Sequence, residues 1–176
     1  MNTIENFRIR KAFLLPLGLL LFLTCCLLVV CIILGQPVAK IVILCMILVP
    51  VTVLFSESAR RHAQVDGSGL TVFKLFRKKT MEFADVTAVE TVLVRKRAYL
   101  TLCADDDFLI LSNAYADFPK MVEVLLQRVP EQSISEETKK MAEAPPVKST
   151  DIISCWLAVV LVGLILYIQL GGKFTL

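Results

Sequence analysis

The chain has 176 residues, 56% of them hydrophobic, with 19 Lys and Arg against 16 Asp and Glu. That apolar share excludes an ordinary soluble globule and places the sequence in the membrane class. The charges are unevenly placed: none falls in 12–39, 41–56 or 152–172, and a lipid core would lie over those runs.

In chain order, residues 1–11 read as a tail ending in Arg8, Arg10 and Lys11. The run from Ala12 to Leu34 can cross a hydrocarbon core of ~30 Å as a helix. Its 23 apolar residues exceed a signal-peptide core, and the exit at Pro37-Val38-Ala39 puts proline where cleavage wants a small side chain. A second run, Val38 to Phe55, spans if Lys40 snorkels to the interface. Gly35-Gln36-Pro37 is too short to do anything but reverse the chain, so 12–56 reads as a transmembrane hairpin. Pro16 and Pro50 stand near span ends, where a missing amide is easily satisfied.

The polar block 57–129 carries turn signals every ten or so residues, the spacing of short antiparallel strands. Strands are expected at 61–65, 70–76, 80–83, 86–94, 99–103 and 108–112. The turns between them are Asp66-Gly67-Ser68-Gly69, Arg77-Lys78-Lys79, a bend at Asp85, Arg95-Lys96-Arg97 and Asp105-Asp106-Asp107. Near Asp117 the apolar period changes from 2 to 3.6. Asp117 is placed to cap a helix with Pro119 in its first turn and Met121, Val122, Leu125, Leu126 and Val129 as its stripe. Many strand positions are apolar on both faces, as in Phe108-Leu109-Ile110-Leu111. A sheet curled around a core and closed by that helix would hide both sets; otherwise one face rests on the membrane or on a partner. Residues 130–151, polar and containing Pro145-Pro146, read as a linker. The run 152–170 is a third span with Trp156 and Tyr167 near its ends, as an aromatic belt would place them. Residues 171–176 form a short tail.

Lys and Arg set the expected orientation. Three basic residues precede the first span and Arg60 and Arg61 follow the second, whereas Lys40 and Lys173 are each alone. The N-terminus and the central block should therefore face the cytoplasm, and the tail 171–176 the outside.

No motif carries catalysis. Five of the six cysteines lie in spans, none has metal-ligand spacing, and buried cysteine acts as a small apolar side chain. His62 is the only histidine. Asp105, Asp106 and Asp107 supply too few oxygens for calcium and suit a turn. Gly67-Ser68-Gly69 leads into no helix and lacks phosphate-loop spacing. The expectation is a protein that is not an enzyme and has no cofactor and no metal.

If the strands form an up-and-down meander, alternate turns share an end. Arg77, Lys78, Lys79, Arg95, Lys96 and Arg97 then make a basic pole nearest the membrane, and Asp66, Asp85 and Asp105–Asp107 an acidic pole facing the cytosol. Over 57–151 the balance is even, 14 Lys and Arg against 15 Asp and Glu, so the separation is the signal. Such a basic pole obeys the positive-inside bias, contacts anionic headgroups, or meets a protein partner. Sharing an end with the membrane, it argues against nucleic acid.

The succession VDGSGLTV, a basic turn, MEFADVTAVE, two further strands and a closing helix resembles a bacterial PH-like domain. The likeness covers about 70 residues and rests on turn chemistry; it departs in the third span and in having Phe83 where a tryptophan often stands. It implies an α+β membrane protein: three transmembrane helices and a cytoplasmic PH-like antiparallel β-barrel or sheet closed by one C-terminal helix, in a bacterial plasma membrane. The function it permits is a scaffold that holds a protein partner or a second copy of the chain, with the six basic residues as contacts to lipid or partner. The alternatives are a sensor of a nucleotide or lipid headgroup, and an accessory subunit of a transporter or secretion complex.

Overall fold

The computed structural model describes residues 4–94, 97–105, 107–146 and 150–171. The chain divides into two compact units, Met1–Arg10 with Arg60–Lys148, and Lys11–Ala59 with Ser149–Leu176.

The second unit is helical. α1 (Lys11–Ile33), α2 (Val38–Arg60) and α5 (Thr150–Gly171) are each long and apolar enough to cross a membrane. α1 ends at Gly35, whose φ of +60° lets the amides of Gly35 and Gln36 turn back to the carbonyls of Ile32 and Cys31. The reversal brings Phe55 of α2 against Gly18, where an added Cβ would stand 3.1 Å from the ring. α1 buries Leu17, Thr24, Leu27 and Cys31 along one stripe. The Cys31 thiol donates to Gln169 Oε1 at 3.4 Å, which aligns the C-terminal ends of α1 and α5. α1 and α5 therefore run parallel, with α2 antiparallel, so Lys11, Arg60 and Thr150 share one end of the bundle. Elsewhere these helices expose large apolar side chains such as Ile33, Val38, Met46 and Tyr167, a surface that only lipid or protein can cover.

The first unit begins with a strand that sequence reading took for part of a tail. Phe7 and Ile9 alternate with Asn6 and Arg8, and β1 (Glu5–Arg8) buries Phe7. It pairs with β2 (His62–Val65), so the helical hairpin is inserted within a pair of adjacent strands. β3 (Gly69–Phe73) and β4 (Lys78–Glu82) complete a four-stranded antiparallel sheet in the order β1-β2-β3-β4. A Cβ on Gly69 would meet the Met81 carbonyl at 2.5 Å, which reserves that position for glycine. A short 3-10 turn (Phe83–Asp85) leads to β5 (Ala88–Val94), β6 (Arg97–Ala104) and β7 (Asp107–Ser112), a second antiparallel sheet. α3 (Phe118–Leu126) and α4 (Glu136–Glu143) follow.

Of the barrel or sheet expected, the barrel is corrected: the described residues form two open antiparallel sheets, and among them no backbone pairing joins β4 to β7. They share a core built from Val65, Leu70, Val72, Val89, Leu100, Leu102 and Leu111, all buried. One corner is sewn where the chain after β7 meets the end of β1: Ile9 pairs with Tyr115, Arg10 N donates to Ala114 O, and Ala116 N donates to Arg8 O. At the β7 start, Lys79 of β4 reaches Asp107. Both contacts lie at the same end of the four-stranded sheet, so β7 crosses that end from the β4 edge to the β1 edge instead of continuing the meander.

The single closing helix is corrected as well. α3 buries Phe118, Met121, Val122 and Leu125 against the core, as its stripe requires. Asp117 stands at its start, but with φ of +52° and no capping bond from its side chain. α4 lies inside the stretch expected to be a linker. Ser135 caps it by accepting the Thr138 amide, with Glu136 and Glu137 in the first turn where the helix dipole favours them. Ser135 N and the Thr138 hydroxyl both donate to Val89 O at 3.1 Å, and Thr91 and Thr138 hydroxyls lie 2.9 Å apart. α4 thus seals the outer edge of β5, which would otherwise be free to pair with another chain.

Candidate interaction surfaces

The register of the four-stranded sheet puts Arg8, His62, Phe73 and Lys78 in one cross-strand row. The His62 and Phe73 rings stack at 4.4 Å and 7°, and Lys78 Nζ lies 5.4 Å from the Phe73 ring centre. His62 Nδ1 lies 2.9 Å from the Arg60 carbonyl, so that nitrogen carries the proton of the bond. This row is the last paired one before the chain leaves toward α1 through Arg10 and arrives from α2 at Arg60. The next row on the same face, Asn6, Gln64, Thr71 and Thr80, is polar, with the two threonine hydroxyls 3.1 Å apart.

Beyond the row, β3 turns into β4 through Lys74, Leu75, Phe76 and Arg77, closed by Lys74 N donating to Arg77 O at 2.8 Å. The strand expected to run to Phe76 therefore stops at Phe73, and Lys78 and Lys79 belong to β4 rather than to the turn. The β3–β4 register sets the difference: Phe73 pairs with Lys78, which leaves only 74–77 for the turn. Phe76 ends at the loop tip, 90% exposed. Arg77 and Lys78 are exposed beside it.

The expected separation of a basic from an acidic pole does not survive. Lys79 Nζ bonds Asp107 Oδ1 at 2.5 Å and the Phe108 carbonyl at 2.6 Å, and lies 5.1 Å from the Phe108 ring centre. A residue assigned to one pole thus meets a residue assigned to the other, because β7 crosses the sheet. The Lys79 ammonium holds the Asp107 carboxyl below its ordinary range, first through its hydrogen bond and then through its charge. Arg97, at the start of β6, donates to the Tyr99 hydroxyl at 3.3 Å. Arg95, Lys96 and Asp106 lie outside the described residues, as do 147–149 of the expected linker and 172–176 of the expected tail.

Asp66 is a turn former: its Oδ1 accepts from Ser68 N at 2.8 Å and Gly69 N at 2.7 Å, and these bonds lower its pKa. Its carbonyl accepts from Arg128, tying the turn to the chain beyond α3. Among the described residues no group of His, Cys, Asp and Glu could hold a metal ion.

Sequence reading missed Tyr115. It is fully buried, its hydroxyl accepts from Arg61 Nε at 3.2 Å, and its carbonyl accepts from Arg10 Nε at 3.3 Å. Burial raises the phenol pKa against the opposing influence of Arg61. Tyr115 so holds both strands at the points where they continue into α1 and α2. No local pattern marks it, because its partners lie 54 and 105 residues away.

The second surface is the outer face of β5-β6-β7. Alternation brings Val92, Val94, Tyr99, Phe108 and Ile110 to that face. Val92 and Phe108 are each more than half exposed, and Ile110 is 42% exposed.

No family model, curated protein or solved structure matches this chain.

Proposed function

We propose that the chain is a non-enzymatic, membrane-anchored interaction module. It presents a PH-like domain at the cytoplasmic face of a bacterial plasma membrane and holds a protein partner on the outer face of β5-β6-β7. The observation that carries this reading is the apolar character of that face. A one-sided antiparallel sheet alternates apolar inside with polar outside; here Val92, Val94, Phe108 and Ile110 stand on the outside among Glu90, Arg97, Thr101 and Ser112. Such a patch is a mark of a surface that another molecule covers.

The PH-like reading is supported by the element order, four antiparallel strands, then three, then a helix packed on the shared core. A cytoplasmic orientation is supported by the distribution of Lys and Arg around the span ends. Lys11 and Arg60 lie at the bundle end that carries Thr150, and Lys40 lies at the other; in sequence, Arg8 and Arg10 adjoin Lys11, Arg61 adjoins Arg60, and Lys173 follows the third span alone.

The test is site-specific photocrosslinking in native membranes with the full chain. A benzophenone side chain at Ile110 or Val92 should give one discrete protein adduct, whereas the same group at Gln64, on the polar outer face of the other sheet, should give none. Equal adducts from both faces, or none from Ile110 and Val92, would refute the reading.

A further inference from the structure

The loop between β3 and β4 has a composition that neither the core nor a protein-binding sheet face explains. Its tip places Phe76 almost wholly in solvent at 90% exposure, the most exposed large apolar side chain of the strand-bearing unit, with Leu75 next to it. Lys74, Arg77 and Lys78 flank it, all exposed. Hairpin tips are ordinarily built from small polar residues, so a phenylalanine between cations needs a reason.

The register supplies one. Arg8, His62, Phe73 and Lys78 form a single row. Lys11, the first residue of α1, stands three residues beyond Arg8; Arg60, the last of α2, stands two residues before His62; Phe76 stands three residues beyond Phe73. At about 3.3 Å per residue, all three lie within roughly 10 Å of the same row and beyond the same end of the sheet. The loop tip therefore projects from the end at which this chain enters and leaves its own candidate spans. An aromatic ring beside lysine and arginine is the chemistry of a membrane–water interface: the ring sits among headgroups and upper acyl chains while the cations pair with anionic lipid.

We propose that Lys74–Lys78 is a membrane-surface anchor: Phe76 and Leu75 insert into the interface of an anionic bilayer, and Lys74, Arg77 and Lys78 bind its headgroups. Lys79 takes no part, since its ammonium is held by Asp107 and the Phe108 carbonyl. The loop thus adds a third point of attachment to the two that the chain connections at Arg10 and Arg60 provide. Protein capture by the β5-β6-β7 face does not depend on it, and either proposal can fail alone.

The test uses the full chain reconstituted in vesicles of phosphatidylcholine, with or without phosphatidylglycerol. Trp156 is the single native tryptophan, so it is replaced by Phe and one tryptophan is introduced as Phe76→Trp. In anionic vesicles its emission should be blue-shifted and quenched by lipids brominated on the acyl chain. Glu82→Trp, at the opposite end of β4, should be neither. Lys74, Arg77 and Lys78→Gln together should lower the bound fraction's equilibrium by ~100-fold, roughly fivefold per charge, and added salt should act in the same direction. Water-like emission from position 76 in anionic vesicles would overturn the proposal, as would equal quenching at 76 and 82. A blue shift that persists in detergent and rises with protein concentration would overturn it in favour of a second copy as occupant. Exchange protection of the β6 amides in each variant separates loss of binding from loss of fold.

Discussion

The two sheets of the strand-bearing unit share a core yet differ on their outer faces. The four-stranded sheet shows water Asn6, Arg8, Gln64, Thr71, Thr80 and Lys78, the regular inside–outside alternation. The three-stranded sheet shows Val92, Val94, Phe108 and Ile110 among Glu90, Arg97, Thr101 and Ser112. Core packing cannot be the cause, since both inner faces are filled in the same way by Leu70 and Val72 on one side and Leu100, Leu102 and Leu111 on the other. The difference lies in the outer faces alone: one is mostly polar, and the other carries four exposed apolar side chains.

That comparison fails if the inner faces are not equivalent. Leu102→Ala and Leu70→Ala each empty a fully buried site and should each destabilise by about 2–5 kcal/mol, measured by amide exchange of the domain in detergent. A loss confined to one sheet would show that the two do not share a core.

The next effect tests how the three-stranded sheet protects its edge. Thr138→Val removes a hydroxyl that meets Val89 O, Thr91 and Ser135, and should cost about 1–3 kcal/mol. The same change should speed exchange at β5 ahead of β7. Tyr115→Phe should cost about 1–2 kcal/mol through the lost bond to Arg61, with the loss concentrated at β1 and β2.

These two residues also show where sequence reading stopped. The three helical segments were legible because a charge-free run of such length has few other fates. Strand positions from His62 to Ser112 were legible to within a few residues through their turn signals. β1 escaped because a strand of four residues with a single buried side chain, Phe7, is too short to show an alternation. α4 escaped because only Thr138 and Met141 of its residues are buried, within polar sequence, and Thr138 is fixed through its hydroxyl to Val89 O and Thr91. The basic turns stand out in the sequence, but composition did not show that Lys79 would meet Asp107; only the crossing of β7 does that. Phe76 was read as strand because nothing local distinguishes the last residue of a strand from the tip of the turn that follows.

A smaller effect separates a turn's charge from its shape. Asp66 has its pKa held below the ordinary 3.8 by the Ser68 and Gly69 amides. A lowered folded-state pKa means that its contribution is complete above about 3.8 and is lost as the pH falls through the lower value. Asp66→Asn should therefore cost about 0.5 kcal/mol at neutral pH, small because the group is solvent-screened. The gap between variant and parent in thermal unfolding should close in strong acid; a gap independent of pH would assign the effect to turn geometry alone.

The smallest stability change is the most informative about the outer faces. Ile110→Ser trades a half-exposed apolar side chain for a polar one on an edge strand, and Thr80→Ser, which keeps the hydroxyl, is the control on the edge of the other sheet. Both should leave stability within about 0.5 kcal/mol, as surface substitutions do. If the three-stranded sheet has a partner, the crosslinked adduct at Val92 should fall only with Ile110→Ser, since Ile110 lies on the same outer face and Thr80 does not. Should Ile110→Ser instead destabilise the isolated chain by as much as Leu102→Ala, the apolar outer face would be covered by the protein itself, and the contrast between the sheets would be a matter of folding and not of binding.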